Sequence, residues 1–139
     1  FSPQDNISLD YDAPPGRQAN LTIYQIGNPD KVLELGGPQY FQESQALELK
    51  KLKSFNLGRD REQYYGSVSV GTLRKGMYFA QLETQSSKSA TLILVTDLAM
   101  VVKSDQDTVL AYTADHSTGE PRKAKVYLLF CLPLVPGWK

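Results

Sequence analysis

The chain has 139 residues, 41% of them hydrophobic and 22% charged, which is ordinary globular usage and excludes wholesale disorder or a fibrous repeat. Its 15 Lys and Arg balance its 15 Asp and Glu, so no electrostatic feature points to nucleic acid or an anionic membrane as partner. A lone cysteine, Cys131, excludes an internal disulfide and a thiolate metal cluster, and no apolar run reaches the roughly 18 to 20 residues of a membrane helix.

Residues 1–17 carry Pro3, Pro14, Pro15 and Gly16 without sustained periodicity, which predicts an extended lead-in able to add one edge strand. The next run, ANLTIYQI, alternates and is rich in β-branched and aromatic types, so it reads as a strand closed by a turn at Gly27 to Asp30. Lys31 to Leu35 is a short second run stopped by Gly36, Gly37 and Pro38. In QALELKKLKSF, Gln45 to Phe55, helix formers sit in a pattern that starts as a strand, and Leu47, Leu49 and Leu52 leave its period open. Strands are expected at Tyr64 to Val70, at Met77 to Glu83 and, after a polar connection at Ser86 to Ser89, at Ala90 to Val95.

The stretch LILVTDLAMVVK, Leu92 to Lys103, is too β-branched for a helix, and a helix would set Thr96 and Asp97 in its apolar surface. Two strand segments that break at Thr96 and Asp97 are expected instead. Polar SDQD then leads into TVLAYT, Thr108 to Thr113, and a turn at ADHSTGEP leads into KAKVYLLF, Lys123 to Phe130. These last two runs are expected to form a hairpin. Short runs with turn signals every ~8 to 12 residues and no long amphipathic helix predict an all-β fold. It is an antiparallel, immunoglobulin-like or fibronectin-type sandwich of about seven strands over residues 18–103, with a trailing hairpin and tail in residues 104–139. Such a hairpin cannot bury both faces alone, so it is expected to pack on the sandwich or on another copy of the chain.

The succession LRKGMYFAQLE, LILVTDLAMVVK and LAYTADHSTGEPRKAKVYLL resembles macroglobulin-type domains of alpha-2-macroglobulin-like proteins, particularly the large bacterial ones. The resemblance runs over about Leu73 to Leu129. In that family a leucine, a glycine and a tyrosine spaced like Leu73, Gly76 and Tyr78 open a late strand. Val95, Thr96, Asp97 and Leu98 match a run that leaves the domain, and Thr118, Gly119 and Pro121 match a turn in the next one. Val126 and Leu128 fit the strand after it. The resemblance implies a non-catalytic piece of a protease-trapping protein in the periplasm or at the cell surface, with the neighbouring domains as direct partners and proteases as partners of the parent. Phe1 in place of Met suits a processed product whose signal peptide precedes this numbering. Cys131 lies in FCLPLVP, which is not the thioester motif of that family, and no bait segment is identifiable.

The residues have local readings of their own. Gly76 lets the backbone take positive φ before a buried strand, and Tyr78 can pack its ring inward while its hydroxyl finds a backbone carbonyl, as in a tyrosine corner. Gly119 suits a left-handed turn position. His116 beside Asp115 reads as a solvated turn histidine, and pairing it with Cys131 as base and nucleophile is the minor alternative. Asp105 and Asp107 supply oxygens of the kind Ca²⁺ takes, but the spacing lacks the glycine and closing glutamate of a helix-loop-helix site, so a solvated linker is the reading. Lys50, Lys51 and Lys53 form too short a basic cluster for nucleic acid. Alternating charges in Arg59 to Glu62 read as an exposed turn. Asn6-Ile7-Ser8 and Asn20-Leu21-Thr22 match the glycosylation acceptor pattern. Tyr64-Tyr65 and Tyr40-Phe41 are expected to pack across strands.

No cofactor is called for, and an enzyme is not expected. Two functions are carried forward: a structural module of an alpha-2-macroglobulin-like inhibitor, and an independent immunoglobulin-like module that binds or adheres to protein or glycan through loops such as Gly27 to Asp30 or Gly58 to Glu62.

Overall fold

The computed structural model describes residues 1–58 and 62–126. They divide into two compact units, Phe1–Asp97 and Leu98–Lys139. The fold is all-β, antiparallel and not closed into a barrel. Among the described residues no helix is long and apolar enough to cross a membrane.

The first unit is a sandwich of two sheets. β1 (Ile7–Asp12) pairs with β4 (Tyr65–Gly71) in a two-stranded sheet, and the other sheet has the order β3-β2-β5-β6, formed by β2 (Ala19–Ile26), β3 (Leu49–Asn56), β5 (Gly76–Thr84) and β6 (Lys88–Val95). The lead-in thus supplies β1, and Ile7 at its start is fully buried. Between the sheets lies a core of Ile7, Leu21, Ile23, Val70, Tyr78 and Ile93. Its burial is the main stabilising term of the unit.

A second apolar cluster sits on the opposite face of the four-stranded sheet. Here Ile26 and Phe79 meet Val32, Phe41 and Leu47. Those last three belong to 3-10 helices, η1 (Pro29–Glu34), η2 (Pro38–Glu43) and η3 (Gln45–Leu47), which occupy the connection between β2 and β3. Phe79 stacks on Tyr24 with ring centroids 4.7 Å apart and meets Phe41 edge-on at 5.8 Å. β5 is therefore buried on both faces over Tyr78 to Gln81, whereas β2 alternates and is covered on its outer face only toward Tyr24 and Ile26.

Three sequence expectations change. Lys31 to Leu35 is no strand: Pro29, at the start of η1, fixes φ for a helical turn, and Val32 buries from it. Gln45 to Phe55 is split, because Glu48 takes a left-handed φ of 51° between η3 and β3. Within β3 the register slips between Ile23↔Lys53 and Tyr24↔Lys51, so Leu52 is the bulged residue. That bulge sends Leu49 to the outer cluster and Phe55 to the inner core, although even spacing would set both on one face.

The third change concerns pairing after Val95. LILVTDLAMVVK breaks into β6 and β7 (Leu98–Ser104) as its composition implied, but β7 pairs with β8 (Val109–Asp115). SDQD is the turn of that hairpin, with the Asp105 N–H donating to Thr108 O at 2.9 Å, and not a linker. Lys123 to Val126 lie in no strand, and the remainder of KAKVYLLF falls outside the described residues. The hairpin shows apolar side chains on both faces: Met100 and Val102 on one, Val101, Leu110 and Tyr112 on the other, all exposed.

Candidate functional site

Two groups of residues singled out by sequence hold backbone in defined turns. At one end of the sandwich Leu73 is buried, and the chain turns through Arg74 and Lys75 into Gly76, whose φ is 154°. Tyr78, two residues on and 2% exposed, donates its hydroxyl hydrogen to Arg74 O at 2.7 Å. Burial pushes the Tyr78 phenol up, and the Arg74 charge opposes that shift in part. Beside this turn the Lys75 ammonium pairs with the Asp97 carboxylate. The Thr96 N–H donates to Phe1 O at 2.9 Å. Both residues at the break between β6 and β7 are thereby anchored within the first unit.

In the second unit Asp115 organises the turn after β8. Its Oδ1 accepts from the Ser117 hydroxyl at 2.6 Å, the Ser117 N–H at 2.9 Å and the Thr118 N–H at 3.1 Å, while Oδ2 pairs with Arg122. The Ser117 hydroxyl, the two backbone N–H groups and Arg122 hold the carboxyl well below the usual carboxylate range, against the opposing effect of burial. Gly119 takes a left-handed φ of 73°, and its N–H donates to Asp115 O at 2.9 Å. Pro121 bridges to Ala114. His116 is exposed and is not among the donors to the Asp115 carboxylate, which are Ser117, Thr118 and Arg122. Cys131 and Leu128 lie outside the described residues.

Other candidates disperse. The Lys53 ammonium donates to Val70 O, whereas Lys50 and Lys51 sit beyond the bulge, which dissolves the basic cluster. Asp105 bonds its own turn through the Gln106 N–H. Among the described residues no three His, Cys, Asp or Glu side chains gather to hold a metal ion. Tyr64 and Tyr65 are 64% and 66% exposed, and of Tyr40 and Phe41 only the latter is buried. In the Arg59 to Glu62 turn, residues 59–61 are outside the description.

Sequence reasoning missed one place. Along the edge of β1, Asp10, Tyr11 and Asp12 border a crevice of about 300 Å³ that opens between the two sheets. They also border a second groove, of about 580 Å³, with Gln63, Tyr65 and Ser67. The alternation ISLDYD carried the signal, but it lay in a segment read as a lead-in. The chain matches no family model and no solved structure.

Proposed function

We propose that this chain is a non-catalytic structural module of a secreted or surface alpha-2-macroglobulin-like protease inhibitor, joined to neighbouring domains of the same polypeptide. One observation carries the reading: the positions of the sequence resemblance are occupied in holding backbone. Leu73 is buried, Tyr78 ties down Arg74 O, Asp97 pairs with Lys75, and Gly119 and Pro121 shape the turn built on Asp115. A rigid spacer requires such anchoring, and a catalyst would require a nucleophile, a base and an oxyanion site converging on one point. The parent would enclose a protease in the periplasm or at the cell surface while this part sets distances between domains.

The intact parent, mixed with a protease, should retain it and slow its action on large protein substrates far more than on small chromogenic ones. Equal slowing of both would remove the inhibitor reading. A second reading, a binding or adhesion module for protein or glycan, is favoured by the exposed pair Tyr64 and Tyr65 beside the Gly58 to Glu62 segment. A parent that retains no protease but is captured by immobilised glycans through those tyrosines would favour that reading.

A further inference from the structure

The sandwich is unequal, with four strands facing two. The consequence is visible along β6. Ile93 and Val95 on its inner face are buried under the smaller sheet, whereas Ser89 and Thr91, on the same face, are exposed. Where cover ends, the crevice opens, with Leu9, Leu21, Ala80 and Leu82 among its walls and Asp10 and Asp12 at its mouth.

β1 pairs with β4 on one side and, among the described residues, with no strand on the other. Such an edge offers backbone groups to an incoming extended chain. The Tyr11 ring is drawn over Gly66 on β4, the strand on the paired side. A Cβ at Gly66 would stand 2.6 Å from the Tyr11 Cζ, so the ring could not lie there over any larger residue.

We infer that this flank takes an extended segment of a partner protein, added as a third strand beside β1, in which basic residues alternate with small or β-branched apolar ones. The alternation of β1 sets that pattern. Leu9 and Tyr11 belong to the crevice face, while Asp10 and Asp12 are exposed on the other and make no ion pair among the described residues. Side chains directly opposite on paired strands stand roughly 4.5–5.5 Å apart, so a basic residue opposite each aspartate meets a carboxylate. The residues between them enter the crevice, whose small inner-face walls at Ala80, Ser89 and Thr91 leave depth for methyl groups and exclude bulky rings. Backbone pairing then supplies affinity, and the crevice and the two carboxylates supply selectivity. The site is independent of the reading of the parent as an inhibitor.

The test uses the full chain with two short synthetic peptides, one alternating Lys and Val and one alternating Glu and Val. The Lys-Val peptide should bind saturably, weaken with added salt and slow amide exchange within Ile7–Asp12; the Glu-Val peptide should not bind. An Asp10→Asn, Asp12→Asn double variant with an unchanged unfolding midpoint should bind about tenfold more weakly, a loss typical of removed charge pairs. Thr91→Trp, which fills the crevice without touching the carboxylates, should abolish binding. Indistinguishable binding of the two peptides, protection outside β1, or unchanged affinity in the double variant would each overturn the inference, as would a neutral oligosaccharide occupying the groove in place of the peptide.

Discussion

At Tyr78 the ring and the hydroxyl serve different ends. The ring fills the inter-sheet core opposite Ile93, and the hydroxyl satisfies Arg74 O in the turn that leads into β5. Tyr78→Phe keeps the ring and orphans the carbonyl, so the sandwich should lose about 1–3 kcal/mol in urea unfolding, with little change in the slope of the transition. The phenol is raised above its ordinary value of 10.0, so the folded state holds its proton longer than the unfolded chain does. Stability from this group is fully present below pH 10 and declines as the pH rises through the folded value. Asp115 runs the other way. Its carboxyl is depressed, so the contribution of the turn is complete above the ordinary carboxylate range, about pH 4, and is lost as the pH falls toward the lower folded value. Amide shifts of Ser117 and Thr118 should therefore hold constant through pH 4 and move only in stronger acid. In Asp115→Asn they should start displaced and not titrate; titration near pH 4 in the native chain would contradict the geometry.

At the scale of elements, the bulge at Leu52 decides which side chains of β3 face which cluster. Lys53 and Phe55 lie toward the inner core and Leu49 toward η1 to η3, because one residue is inserted between the two halves of the strand. Deleting Leu52 would remove the bulge and leave Leu49 and Phe55 five residues apart, so that each keeps its present face on a regular strand. That variant is expected to keep a cooperative unfolding transition, whereas deleting both Lys51 and Leu52, which turns one half of β3 to the wrong face, should melt far below the native chain; a double deletion tolerated within about 1 kcal/mol would contradict this account of the register. The three 3-10 helices are short for the same reason that they were not anticipated. Each starts or ends at a Pro, Gly or strained residue, and each delivers a buried anchor, Val32, Phe41 or Leu47, to the sheet surface. Local propensity for so few residues is weak, so packing determines their form.

For the whole molecule, the contrast lies between strands with apolar cover on two faces and strands exposed over most of their length. β2 and β5 sit between an inner and an outer apolar cluster, whereas β7 and β8 form a two-stranded sheet with exposed Met100, Val102, Val101, Leu110 and Tyr112. A two-stranded hairpin is marginal by itself in water. Amide exchange should accordingly be slowest in β2 and β5 and faster by orders of magnitude in β7 and β8, the latter opening locally without unfolding of the sandwich. Uniform protection from β1 to β8 would refute that ordering.

The amino-acid order by itself determined the all-β class, the positions of most strands and the break at Thr96 and Asp97. Each of these rests on neighbours in the chain: β-branched content, period-two alternation, Gly and Pro punctuation. Tertiary structure alone decided that β7 pairs with β8, that Ile7 to Asp12 forms a sandwich edge, that Leu52 bulges, and that an acidic-rimmed crevice opens beside β1. Those outcomes depend on which strand lies beside which and where cover runs out. Strand patterns of equal local quality do not encode their partners, since pairing is settled by non-local burial and register.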